Sequence, residues 1–135
     1  MLRRLAILPL FLLTLPACDS LGSDAIGITG TWEGEVFEAD TPQTRYPLQL
    51  RLQDTGQFVS GTGSVELPGD LFEFSLNKGS FLNGIVNLDI RFDDPPFQGA
   101  IDGTLTQESP AQIEGTFAGR GLVGNARFEI ELVDR

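Results

Sequence analysis

The chain of 135 residues carries 19 acidic and nine basic side chains, no histidine and one cysteine, for a formal net charge of −10 at pH 7. So acidic a chain argues against partners that need cationic patches, namely nucleic acids and anionic lipid headgroups. The lack of histidine and the single cysteine exclude Ser–His and Cys–His catalysis and an intramolecular disulfide. We therefore predict no catalytic residues, no metal site and no cofactor.

The first residues have the pattern of an export signal. A basic segment, residues 1–4, precedes an apolar run from Leu5 to Ala17. At about 13 residues, this run is shorter than the ~20 that a helix needs to span a bilayer. A removed signal peptide is therefore predicted rather than a membrane-spanning helix.

The end of this run, Leu15-Pro16-Ala17-Cys18, resembles the lipobox of bacterial lipoproteins. The resemblance implies that residues 1–17 are a lipoprotein signal peptide and that Cys18 becomes the lipidated N-terminus. It also implies export and a lipid anchor at the bacterial cell envelope, on the periplasmic face or the cell surface, of either membrane. Residues 18–27 are small and polar and predict a flexible tether with an r.m.s. reach of about 15–18 Å. Residues 28–135 remain as one β-barrel domain.

From Ile28 onward, apolar and polar residues alternate, which is typical of half-buried β-strands. Turn-forming residues separate the segments, among them Asp54-Thr55-Gly56 and Asn77-Lys78-Gly79-Ser80. The pattern predicts eight strands, at residues 28–36, 46–53, 59–67, 72–76, 82–92, 101–105, 113–119 and 126–132.

Eight sequential strands with one apolar face predict an all-β fold, an antiparallel up-and-down meander that closes into a barrel. A two-sheet sandwich is the alternative. Inward glycines permit the strong coiling that closure requires, and we expect them to free volume inside. By the alternation, the inward glycines are Gly30, Gly34, Gly61, Gly63, Gly84, Gly103, Gly115 and Gly119.

The opening of the first strand, Gly30-Thr31-Trp32, resembles the G-x-W signature of lipocalins and the start of avidin-like, calycin-type barrels. It is also similar to small eight-stranded periplasmic inhibitors of secreted metalloproteases. These resemblances imply a tryptophan that plugs or lines one barrel end. The inward positions include no Asp, Glu, Lys or Arg. The candidate ligand-binding residues are therefore aromatic: Trp32, Tyr46, Phe72, Phe74, Phe117 and Phe128.

These features predict a non-enzymatic envelope lipoprotein with a lipocalin-like barrel that binds a hydrophobic small molecule or lipid. The alternative is a solid-cored barrel that acts as a protein-interaction module or protease inhibitor through its loops and acidic surface. The expected partners are the membrane, through the lipid on Cys18, and a hydrophobic ligand or an envelope protein.

Overall fold

A computed structural model of the chain describes residues 27–93, 96–119 and 126–135. Eight antiparallel strands form a closed barrel in which each strand pairs with its sequence neighbours and the first pairs with the last. The strands are β1 (Gly30–Glu38), β2 (Thr41–Asp54), β3 (Val59–Leu67), β4 (Asp70–Leu82), β5 (Ile85–Asp93), β6 (Pro96–Glu108), β7 (Ala111–Ala118) and β8 (Ala126–Asp134). The prediction of an all-β, up-and-down barrel is confirmed, and the sandwich alternative is not observed.

The predicted signal peptide, Cys18 and the tether up to residue 26 lie outside the described residues. Within the described ranges, no helix is long and apolar enough to cross a membrane.

The barrel is built around one hydrophobic core. Side chains alternate between the core and the outer wall, most regularly along β5. Twenty apolar side chains are buried, and no polar or charged residue in the described part of the chain is buried with them. The largest of those that are under 2% exposed are Trp32, Phe92, Phe117 and Phe128. The alternation predicted from the sequence is thus the division between core and wall.

The hairpin turns divide between the two ends of the barrel, because neighbouring strands are antiparallel. The proximal end, where the described chain enters and leaves, comprises residues 27–30, 54–59, 82–85, 108–111 and 133–135. The described residues of the distal end are 38–41, 66–71, 93, 96, 118–119 and 126. Trp32 therefore lies near the proximal end.

The turn predicted at residues 77–80 is wrong. The fourth strand continues to Leu82, and a register shift between Leu76 and Lys78 takes up one extra residue as a bulge. The chain instead reverses at Asn83-Gly84, whose φ angles of 53° and 80° suit a tight hairpin turn with two left-handed residues. The prediction that Gly84 points inward is therefore also wrong, since Gly84 lies in the turn, and Leu82 beside this turn is 70% exposed.

Candidate functional site

The six candidate ligand-binding residues belong to the barrel core. Trp32, Phe74, Phe117 and Phe128 are at most 5% exposed, while Tyr46 and Phe72 are partly buried and pack against the same cluster. They are spread along the barrel: Trp32 pairs with Leu132 near the proximal end, and Phe72 pairs with Val65 toward the distal end. The six residues are thus parts of one continuous packed core and do not converge on a single ligand site.

Aromatic rings meet at tilted and edge-on angles in the distal part of this core. The ring centroids of Phe74 and Phe92 lie 5.2 Å apart at an interplanar angle of 59°, and those of Phe74 and Phe117 lie 6.3 Å apart at 61°. Phe97 extends the cluster with a centroid 6.1 Å from Phe92. Tilted pairs at these distances are favourable beyond the area they bury, by about 0.5–1.5 kcal/mol each. The rings thus support one another and occupy the distal part of the barrel interior.

Aromatic rings fill the space beside several inward glycines. These glycines therefore do not free volume inside the barrel, contrary to what the sequence suggested. A Cβ added at Gly63 would lie 2.5 Å from the ring of Phe74. At Gly119 it would lie 2.5 Å from Phe117, and at Gly103 it would lie 2.9 Å from the ring of Phe128. The expectation of free volume is wrong at these positions because the residue that fills each glycine's space is distant in sequence or adopts a rotamer that the sequence does not reveal.

Trp32 closes the core at the proximal end. Its indole N–H donates a buried hydrogen bond of 2.9 Å to the carbonyl oxygen of Ile28. The amide of Ile28 in turn donates to Asp54 Oδ2 at 3.1 Å, and Asp54 Oδ1 accepts from the amide of Gly56 at 2.9 Å. This network fastens the incoming chain to the β2–β3 loop.

Beside this network lies a cleft of about 800 Å³ at the proximal end. Apolar side chains from β4 and β6 line one part of it, namely Phe81, Leu82 and Leu105. Gly27 and Asp54 line another part. The six aromatic candidates predicted from the sequence lie elsewhere, so this cleft was not foreseen.

The outer wall of β7, β8 and β1 is acidic. Glu129 lies directly opposite Glu35 on one side and Glu114 on the other, and Glu33 lies opposite Glu131. We call these five residues the acidic wall; they border a groove of about 540 Å³. Like charges directly opposite each other destabilise a sheet, so this arrangement requires compensation.

Arg45 supplies part of that compensation. Its Nη1 lies 3.0 Å from Glu129 Oε1 and 3.4 Å from Glu35 Oε1, so one guanidinium bridges two opposed carboxylates. The guanidinium carbon also lies 4.1 Å from the ring centroid of Phe37, a cation–π contact. Among the described residues, no group of three or more Asp, Glu, Cys or His side chains is placed to hold a metal ion.

No family model matches this chain. Comparisons with curated proteins and with solved structures likewise found no match. What the structure has in common with the lipocalin-like prediction is an eight-stranded closed barrel and a buried tryptophan near one end.

Proposed function

We propose that this chain is a non-enzymatic, lipid-anchored envelope protein whose solid barrel acts through its outer surface. The filled interior carries this proposal: a lipocalin-like carrier needs a cavity, whereas here aromatic rings occupy the space beside the inward glycines. The interaction module was the alternative prediction from the sequence, and the packing now favours it over a ligand held inside.

The anchor is proposed from the lipobox-like motif at Cys18. To test it, the full chain and a Cys18→Ser variant would be produced in a bacterial host and the mature forms weighed by mass spectrometry. We expect the wild type in the membrane fraction, starting at Cys18 and carrying acyl groups. We expect the variant to lack them. A wild-type chain with an unmodified Cys18 would overturn this part of the proposal.

The acidic wall supports a partner of opposite charge, a basic face of another envelope protein. Charge complementarity steers such encounters and weakens with salt. A triple variant of the wall, Glu33→Gln, Glu114→Gln and Glu131→Gln, would be compared with the wild type in cross-linking from intact envelopes. A matched control places the same change at the exposed Glu38, Glu66 and Glu73. We expect the wall variant alone to lose its cross-links, and equal cross-linking of all three chains would contradict the role of the wall.

The proximal cleft favours a second candidate function, binding of a hydrophobic small molecule or lipid at the barrel end. Phe81 and Leu105 give it apolar lining. Calorimetric titration with a fatty acid, repeated on Leu105→Asn, tests this candidate. Binding that the variant weakens would support it. No heat with the wild type at two temperatures about 15–20 °C apart would remove it, since hydrophobic binding has a heat that changes with temperature.

A further inference from the structure

We infer that the proximal end is the membrane-facing end of the barrel, with Phe58 and Leu82 inserted into the interfacial region of the bilayer. This inference rests on the proposed anchor at Cys18. It adds a second contact with the membrane, made by the folded barrel itself, and thereby an orientation.

Exposed apolar side chains are concentrated at this end. In the described part of the chain, Phe58 in the β2–β3 loop is 65% exposed, and Leu82 at the proximal end of β4 is 70% exposed. Ile85 and Val133, each about half exposed, lie at the proximal ends of β5 and β8. Among the described residues of the distal end, which leave out 94–95 and 120–125, Leu71 is the one large exposed apolar side chain. Single exposed apolar residues are ordinary on a protein surface. Here four lie at the end through which the chain enters the barrel, and this placement points to a contact surface.

Charge has the opposite distribution. The described distal end has five exposed carboxylates and no basic side chain: Glu38, Asp40, Glu66, Asp70 and Asp93. The proximal end has three carboxylates and one guanidinium. Of these, Asp54 accepts two backbone hydrogen bonds, and Arg135 lies against the Gly27 carbonyl oxygen at 3.5 Å. By the charges of the described residues, a bilayer surface with anionic lipids repels the distal end more strongly than the proximal one.

The place where the chain enters the barrel agrees with this orientation. Gly27 lies at the proximal end and borders the cleft beside Leu82. The tether predicted from the sequence for residues 18–27 would have an r.m.s. reach of about 15–18 Å, which would keep the barrel close to the bilayer. A weak apolar contact becomes effective at such a short distance, because the anchor makes the second binding event intramolecular. Phenylalanine and leucine are side chains that suit the boundary between headgroups and acyl chains.

The orientation assigns roles to the two ends. With the proximal end on the bilayer, the distal turns and their carboxylates point away from the membrane. The acidic wall, which runs along β7, β8 and β1, then stands exposed on the side of the barrel, where a partner can reach it.

The test compares two tryptophan reporters of similar exposure, Phe58→Trp at the proximal end and Leu71→Trp at the distal end. The protein spans residues 18–135, which include all eight strands of the closed barrel. The thiol of Cys18, the only cysteine, would be coupled to a maleimide lipid in phosphatidylcholine vesicles whose acyl chains carry bromine. Bromine quenches only indoles that reach the acyl region, and the buried Trp32 provides the background to subtract.

We expect brominated lipid to quench the Phe58→Trp reporter by roughly half, because interfacial side chains sit about 5–10 Å into the headgroup–acyl boundary. The Leu71→Trp reporter should keep its full emission. Equal quenching at both positions, or none at either, would overturn the inference. Leu82→Trp is a second proximal reporter if Phe58→Trp does not fold by circular dichroism.

Because the lipid is coupled chemically to Cys18, the quenching experiment does not depend on whether the cell acylates this cysteine. Mass spectrometry of the full chain reports whether Cys18 is acylated in the cell, while quenching reports how a tethered barrel sits. An unmodified Cys18 together with selective quenching of the proximal reporter would overturn the anchor alone. An acylated Cys18 together with no selective quenching would overturn the orientation alone.

Discussion

The indole of Trp32 holds the residue at which the chain enters the barrel, through a buried hydrogen bond of 2.9 Å to the Ile28 carbonyl oxygen. Both side chains are at most 2% exposed, so water cannot replace this bond without opening the barrel end. Through this bond, the tryptophan of the Gly30-Thr31-Trp32 motif helps to close the proximal end of the barrel. It also connects the core to the segment that leads back to the proposed anchor.

Replacing Trp32 by phenylalanine should lower the free energy of unfolding by about 2–4 kcal/mol, since it leaves the buried Ile28 carbonyl oxygen unsatisfied and opens a small cavity. Urea unfolding followed by circular dichroism measures the change. Phe97→Leu, a change at a partly buried ring, is the control and should cost less. A loss under about 0.5 kcal/mol for Trp32→Phe would show that the bond does not hold the barrel end.

A substitution at Gly34 tests whether closure of the barrel depends on the close approach of β1 to β8. A Cβ at this position would overlap the backbone of β8, at Glu129 and Ile130. Gly34→Ala should therefore cost more than about 3 kcal/mol or prevent folding, because backbone cannot move aside as a side chain can. Gly27→Ala is the matched control, since its nearest neighbour would be Asp54 Oδ2 at 3.9 Å. Comparable thermal midpoints for the two variants would refute this explanation.

Arg45→Gln should destabilise the barrel in a salt-dependent manner. It removes the cation between Glu35 and Glu129 and leaves two carboxylates opposed across β1 and β8. Because the groups are a third to a half exposed, we expect only about 0.5–1 kcal/mol at low ionic strength. High salt should reduce the difference from the wild type.

Arg91→Gln is the comparison for that experiment. Its ion pair with Asp93 has a separation of 3.8 Å, and both side chains are more than half exposed. We expect no measurable change in urea unfolding at either salt concentration. A loss for Arg45→Gln that is the same at low and high salt would indicate lost packing on Phe37 instead of charge compensation.

Asn83 should be sensitive to β-branched substitution. Its φ of 53° is left-handed, a region that asparagine and aspartate tolerate better than other residues with side chains. Asn83→Val should cost about 1–3 kcal/mol, while Asn83→Asp should remain near the wild type. Thermal unfolding of both variants measures the contrast, and equal midpoints would show that the turn accommodates either residue.

The strand alternation predicted the core well because a closed barrel has one inside and one outside. The bulge between Leu76 and Lys78 broke this rule locally. One extra residue shifts which positions of a strand face inward. Residues Asn77 to Ser80 were therefore predicted to form a turn, and Asn83-Gly84, a strong hairpin signal, was placed within a strand. Inward and outward positions cannot be assigned from alternation alone across a bulge.

The surface features were harder to foresee. Arg45 and Glu129 are 84 positions apart and meet because β1 pairs with both β2 and β8. Phe58 is apolar and adjacent to a strand, which the sequence alone cannot distinguish from a core residue. Only the turn geometry leaves it exposed at the proximal end. The sequence therefore predicted the buried aromatics and an acidic surface, but not which carboxylates form the acidic wall or which apolar side chains are exposed at the proximal end.

Trp32 reports directly on whether the barrel interior is filled, because it is the only tryptophan in the chain. Its fluorescence would be followed while fatty acids and an apolar dye are titrated into residues 18–135. The titration would be repeated on Leu105→Asn, because the proximal cleft lies beside the Trp32 network and a ligand there can also reach the indole. We predict a blue emission that does not respond in Leu105→Asn. A saturable shift in that variant, with about one ligand per chain, would contradict a filled interior and identify the barrel as a carrier with an open cavity.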